Sequence, residues 1–389
     1  MRIKILLLML LIVLPFAVPT AAFRQLAIAS APQPLDLPQG DAYLSPDGMH
    51  IFLASASTSG PYSLCVYSAA VEKESCGTLP TSPDLFSIRW SPDSKWIAFT
   101  ENFFLYFREP DIWVMDAQSG KVTDLTDDQI IKLDISKIWS LPSIDVEPVW
   151  TPDSSQIVFI RYHGVPSASD PTKHDEQADL YRIAPTGGDP VQVGTFQYPT
   201  GAPPFPTYVL TLSPDGKQIA YNVDALKPES AINGLWVADL DGKNARQVLN
   251  VYGLTDVAFS ADGHFVLELN ALAMSQFKPP WDQSSSLVVA LDGDNPLTVD
   301  SDHPAQWAAW SPSGASLAYI VAHSKQPEQD GLYVVDAPGK AGKEVVAGEF
   351  LPPAMPKANA IYRTLLHWAS NDTVLVRDQD KKLMLVSLK

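Results

Sequence analysis

Apolar positions in this chain come in short runs separated by a recurring turn, with no helical stripe. Ile88–Phe99 reads IRWSPDSKWIAF: an apolar segment ending in Trp, a Ser-Pro-Asp turn, then a second apolar segment. Related versions begin at Tyr43 (YLSPDGMHIFL), Val149 (VWTPDSSQIVFI), Thr211 (TLSPDGKQIAY), Ala258 (AFSADGHFVLEL), Ala309 (AWSPSGASLAYI) and, in worn form, His367 (HWASNDTVLVR). Proline presets one torsion of the turn, and Gly48, Gly216, Gly263 and Gly314 permit a positive φ. Asp47, Asp93, Asp153, Asp215 and Asp262 can accept hydrogen bonds from the turn's own backbone. Their carboxylates therefore have a structural role before any chemical one.

A third strand follows most copies, as in Asp111–Asp116 (DIWVMD) and Gly234–Asp239 (GLWVAD), and then a fourth, as in Lys121–Leu125. Branched and aromatic residues dominate these segments, which suits partly buried strands. Seven copies of a four-stranded antiparallel unit predict an all-β, seven-bladed β-propeller. The turn aspartates or their equivalents stand at 47, 93, 153, 215, 262, 313 and 371, separated by 46 to 62 residues. A blade needs only about 40–45 residues, so the surplus is expected in loops. After the last copy only Lys382–Leu388 remains as a strand. An N-terminal strand closing the last blade is therefore expected, from Leu26–Ala29 or Leu35–Leu37.

The chain's beginning reads differently. Arg2 and Lys4 precede an apolar run from Ile5 to Val18, followed by Thr20, Ala21 and Ala22, the order of a secretory signal. Residues 1–22 are expected to be removed, leaving 23–389 as a single propeller with no membrane span, in the periplasm or outside the cell. The competing reading is a retained anchor, since Ile3–Phe23 almost reaches bilayer length, although Pro15 and Pro19 interrupt it. A net charge of −17 repels phosphate backbones, so nucleic acid is not an expected partner. Cys65 and Cys76, the two cysteines, fall on adjacent expected strands and form a candidate disulfide.

WSPDSKWIAF followed by DIWVMDAQSGKVTDLTD at Asp111–Asp127 resembles the WD40-like repeat of the TolB-type propellers. The resemblance runs from about Tyr43 to Lys389. It departs from the pattern at Ala261, where proline is usual, at Ser94 and Ser154, where glycine is usual, and in the seventh copy, which lacks both. It implies the propeller fold. That broad family includes periplasmic interaction proteins, propeller modules of serine peptidases and carbohydrate-active lyases. Neither the N-terminal domain of classical TolB nor a peptidase domain is expected here.

Strand alternation puts the loops from second to third strands, and those between blades, on one face, and the long insertions all belong to this set. Phe103, Phe104, Tyr106, Phe107, Arg108, Trp139, Arg161, Tyr162, His163, His174, Phe277 and Trp281 lie there as a candidate partner surface. The bland alternative is that the aromatics pack the loops onto the rim. His163 and His174 with Asp170, Asp175 and Glu176 have no recognised metal-ligand spacing, so no metal and no cofactor are expected. With no nucleophile elbow, HExxH or phosphate loop, no catalytic residue is assigned. These readings point to an exported, noncatalytic recognition or scaffold protein binding an extracytoplasmic protein or envelope glycan. The second reading is a carbohydrate-active enzyme, lyase or hydrolase, on the same face. It would need a metal or basic pocket near His163, His174, His303 and His323, helped by Arg108, Lys132, Lys137 and Arg161.

Overall fold

The computed structural model describes residues 32–388 except 57–60, 69, 103–109, 128–142, 168–169, 171–173, 204–205, 226, 261–262, 270–285, 291–295, 323–325, 349, 351–365 and 379–381. The signal-like segment and Leu26–Ala29 lie outside the described residues.

Six blades are continuous in sequence, each an antiparallel sheet of four consecutive strands. Blade 1 has β2 (Asp41–Leu44), β3 (His50–Ser55), β4 (Tyr62–Ser68) and β5 (Lys73–Leu79); β1 (Gln33–Pro34) precedes it. Blade 2 has β6 (Arg89–Trp90), β7 (Trp96–Thr100), β8 (Ile112–Asp116) and β9 (Val122–Asp124). Blade 3 has β10 (Ile144–Trp150), β11 (Ile157–Pro166), β12 (His174–Ile183) and β13 (Val191–Thr195). Blade 4 has β14 (Leu210–Leu212), β15 (Gln218–Val223), β16 (Gly234–Asp239) and β17 (Arg246–Asn250). Blade 5 has β18 (Leu254–Phe259), β19 (His264–Leu269), β20 (Ser286–Ala290) and β21 (Leu297–Thr298). Blade 6 has β22 (Gln306–Trp310), β23 (Leu317–Val321), β24 (Gly331–Val335) and β25 (Lys343–Ala347).

The remaining sheet is composite. β26 (His367–Ser370), β27 (Thr373–Arg377) and β28 (Leu383–Ser387) take β1 as their fourth strand, in the order β1-β28-β27-β26. The closing strand is not Leu35–Leu37, a correction to the sequence expectation. Gln33 and Pro34 pair with Leu385 and Met384, and Leu35 adds one bond from its N–H to Leu383 O at 2.8 Å. Pro34 has no N–H to donate, so it suits the edge it occupies. Leu35 and Leu37 instead turn into the apolar layer between this composite sheet and blade 1. Arg377 Nη2 fastens the same junction, donating to Gly40 O at 2.7 Å.

Alternation along the strands fills every junction of the ring with apolar side chains. Phe52 and Leu64 of blade 1 meet Ile97 and Phe99 of blade 2, and so on around to Leu375 and Leu383 against Ile51 and Leu53 of blade 1. Phe99, Phe159 and Phe265 are completely buried, and each such side chain stabilises the fold by roughly 1.5–3 kcal/mol.

The recurrent turn also holds blade to blade. Trp90 Nε1 donates to Tyr43 O at 2.9 Å, Trp150 Nε1 to Arg89 O at 3.0 Å and Trp368 Nε1 to Ala309 O at 2.9 Å. Inside the turn, the Asp47 carboxylate accepts from Ser45 Oγ and Met49 N, and Asp93 and Asp153 accept equivalent bonds. Ser94 and Ser154 adopt φ of 60° and 61°, beside 69° at Gly48. The left-handed strain of a serine there is offset by a bond glycine cannot make: Ser94 Oγ accepts from Asp47 N and Ser154 Oγ from Asp93 N, each across a junction. At Gly48 no such exchange is open, because a β-carbon would sit 2.0 Å from Ala369 O.

Cys65 and Cys76 are directly opposed in the β4–β5 register and form a disulfide. Replacing both by Ser is expected to lower unfolding stability by about 2–3 kcal/mol in urea denaturation. An unchanged midpoint would contradict a stabilising role.

Candidate functional site

The end of blade 2 that faces the long loops gathers carboxylates distant in sequence. Glu101 follows β7, Asp111 precedes β8 and Asp124 ends β9, and antiparallel pairing of these strands brings the three positions to one edge. Asp127 follows on the exit from β9. One carboxylate oxygen each from Asp111, Asp124 and Asp127 lies within 4.8 Å of the others. Asp111 is buried, and its N–H donates to Glu101 Oε2 at 3.0 Å. Thr126 stitches the group together: its hydroxyl donates to Asp111 Oδ1 at 3.2 Å, and its N–H to Asp124 Oδ1 at 3.2 Å. Burial, and then the charges of Glu101 and Asp127, push the Asp124 carboxyl up to about 7.

Such a group offers two kinds of chemistry. Three oxygen donors of this hardness suit magnesium, calcium or manganese, and a carboxyl poised near neutrality suits general acid–base work. The expectation of no metal group and no catalytic candidate is corrected here by Asp111, Asp124 and Asp127. Sequence reasoning treated aspartates as turn formers and overlooked these. The available signal was acid at the start of the third strand and at the end of the fourth in one repeat, positions that the antiparallel ladder must bring side by side.

The aromatic surface expected on this face is described only in part. Phe103, Phe104, Tyr106, Phe107, Arg108, Trp139, Phe277 and Trp281 lie outside the described residues, as do Lys132, Lys137 and His323. Arg161, Tyr162 and His163 are not in a loop. They belong to β11, which with β12 makes a long hairpin running out to Pro166 opposite His174. Strand alternation then separates them. Tyr162 turns inward, 2% exposed, and its hydroxyl donates to Thr207 O at 3.0 Å. Arg161 forks onto the buried Asp145 through Nε at 2.7 Å and Nη2 at 2.6 Å, with its guanidinium carbon 4.6 Å from the Tyr181 ring centre. His163 Nε2 meets Asp179 Oδ2 at 2.8 Å, and Asp179 also accepts from Gln177 and Thr195.

His303 has its own carboxylate. Its Nδ1 lies 2.8 Å from Asp300 Oδ2, an oxygen that also accepts from the Tyr319 hydroxyl, and its ring packs 4.8 Å from that of Tyr333. Among the described residues neither His163 nor His303 joins a three-donor metal group.

No protein-family model and no curated protein matches the chain. Solved propellers do. An oligogalacturonate lyase from Vibrio parahaemolyticus superposes with a TM-score of 0.59 at 11% identity, over 93% of this chain and 92% of its own. An oligogalacturonate lyase in complex with manganese gives 0.55 at 13% identity, over 90% and 88%. The propeller domain of the Trilobed protease from Pyrococcus furiosus gives 0.52 at 12%, over 90% and 97%. Identities this low establish a shared propeller fold, related distantly to several families, without fixing the TolB-type family or any other.

Proposed function

We propose that this protein is a carbohydrate-active enzyme, a lyase or hydrolase, acting on an acidic sugar at the long-loop face, with a divalent cation held by Asp111, Asp124 and Asp127. The observation that carries the reading is the convergence of these three carboxylates within 4.8 Å at the loop-bearing end of blade 2. The all-oxygen donor set fits a hard divalent ion, which when bound would neutralise a substrate carboxylate that a chain of charge −17 otherwise repels. Asp124, whose carboxyl sits near 7, would have to give up its proton to join the donor set, so cation binding is expected to strengthen as pH rises through 7, and Thr126 keeps that carboxylate oriented. Resemblance in fold to two proteins named as oligogalacturonate lyases, one with manganese, supports this reading over purely noncovalent recognition. The Cys65–Cys76 disulfide supports residence in an oxidising, extracytoplasmic compartment.

Titration calorimetry with manganese is expected to show one site on the intact protein, weakened at least about tenfold in Asp124→Asn. Incubation with oligogalacturonate and neutral glycan panels is expected to release shortened products from the acidic sugars in the presence of manganese. Undetectable manganese binding, or products indifferent to Asp124→Asn, would overturn the assignment.

A further inference from the structure

One place on the third strand of the repeat is aromatic in blades 2, 3, 4 and 6. Trp113 on β8, Tyr181 on β12, Trp236 on β16 and Tyr333 on β24 lie opposite Phe99, Phe159, Tyr221 and Tyr319 of the second strands. On their other side they lie opposite a polar residue of the fourth strand, respectively Asp124, Gln192, Gln247 and Glu344. Register and alternation thus put the four rings in equivalent positions, each beside the polar side chain of its own outer strand.

Two of the four use their polar atom to fasten the loop that precedes their strand. Trp236 Nε1 donates to Ile232 O at 2.9 Å, and the Tyr333 hydroxyl donates to Gln329 O at 2.8 Å, in each case a carbonyl four residues upstream. In blade 4 the opposing residue shares this task, Gln247 Nε2 donating to Ala231 O at 2.9 Å and Asn233 O at 2.8 Å. Tyr181 is occupied differently, with the Arg161 guanidinium over its ring.

Blade 2 departs from this pattern. Trp113 Nε1 is buried and has no hydrogen-bond partner among the described residues. The rest of the indole is partly buried and packs against the apolar layer between blades 1 and 2. Opposite it stands Asp124, an acid where blades 3 and 4 have glutamine, and its Oδ1 accepts from Thr126 N. Directly opposed side chains have β-carbons about 4.5–5.5 Å apart, so the indole borders the carboxylate group of Asp111, Asp124 and Asp127. An indole N–H is a donor only, and a buried donor left without an acceptor is unfavourable, so an oxygen from outside the chain belongs against it. Three carboxylates repel an anionic oxygen, and a cation held between them removes that repulsion.

We infer that Trp113 is a substrate-binding residue of the blade 2 site, its Nε1–H donating to an oxygen of the bound sugar. This rests on the reading of that site as cation-dependent and specific for an acidic sugar. The position that latches a loop in blades 4 and 6 is turned over to the ligand in blade 2.

Two variants test this. Trp113→Phe keeps an aromatic ring and removes the donor, and Trp113→Tyr puts back a hydroxyl, the group that Tyr333 carries at the equivalent place. Calorimetry on the intact protein uses manganese alone, then oligogalacturonate with manganese saturating. Manganese binding is expected to be the same in wild type and both variants, because the indole is not among the donors to the cation. Oligogalacturonate binding is expected to weaken about tenfold or more in Trp113→Phe and by less in Trp113→Tyr. A measurement that does not depend on how Trp113→Phe folds uses isotope-labelled tryptophan. The indole N–H resonance missing from Trp113→Tyr is expected to shift when oligogalacturonate is added to the manganese-loaded wild type. A wild type that binds no manganese, or manganese without oligogalacturonate, overturns the blade 2 reading and this inference with it. Oligogalacturonate held equally well by wild type and Trp113→Phe, or an unmoved resonance, overturns the inference alone and leaves a water against the indole.

Discussion

Glu147→Gln is expected to stabilise the protein at alkaline pH and to flatten its loss of stability above neutrality. Burial pushes the Glu147 carboxyl up to about 8 from an ordinary 4.5, against the lowering effect of Arg89 and with smaller raising contributions from Asp84 and Asp256. The folded chain therefore keeps this proton across a range in which the unfolded chain has released it. Stability from the group is complete below about pH 4.5 and is lost as pH rises through about 8. Asp84, pushed up to about 6 by burial, adds a smaller loss of the same sign at lower pH. His367 works in the opposite direction: lowered to about 4 from 6.5, its contribution is present above 6.5 and lost as pH falls through 4.

Wild-type stability is thus expected to peak on the acid side of neutrality and to fall by a few kcal/mol by about pH 9. The amide that replaces the carboxyl in Glu147→Gln has no proton to titrate, so the variant should lose much less over that range. Urea denaturation at about pH 5, 7 and 9 measures both slopes. Parallel slopes for the two proteins would place the glutamate in an ordinary solvated setting and refute the burial of its carboxyl.

Removing Arg161 is the second large effect. Its two bonds to Asp145 satisfy a carboxylate that is 1% exposed, and its guanidinium stacks against Tyr181. Arg161→Ala leaves that carboxylate buried without its fork, a change that typically costs about 3–5 kcal/mol. Arg161→Lys retains charge but not the planar two-point contact, so an intermediate loss is expected. Pairing Arg161→Ala with Asp145→Asn should recover part of the loss, because the stranded charge is gone. If Arg161→Ala stays within about 0.5 kcal/mol of wild type in urea unfolding, the fork is dispensable, and the arginine regains its standing as a residue of the partner surface.

Several features of this fold were legible from the chain alone because they depend on neighbours a few residues away. The Ser-Pro-Asp turn, the alternation after it and the four-strand rhythm of the propeller are of this kind, since a turn aspartate such as Asp47 bonds Ser45 and Met49 whatever the rest of the molecule does. The opposition of Cys65 and Cys76 followed from strand and loop lengths within one hairpin. Tertiary structure decided everything that depends on how repeats meet. Extending β11 and β12 through a segment expected to be loop turned Tyr162 into the core and Arg161 onto Asp145, because alternation assigns each residue a side only once a strand exists. Pairing against β28 chose Gln33–Pro34 to close the ring and left Leu35 and Leu37 as packing residues. Ladder geometry joined Asp111 to Asp124 and Asp127, and ring closure brought Glu147, Asp256 and His367 within reach of the Arg89 charge. Turn and strand preferences act over a few bonds and are written in the order of residues, whereas a charge finds its partners only where the folded backbone carries it.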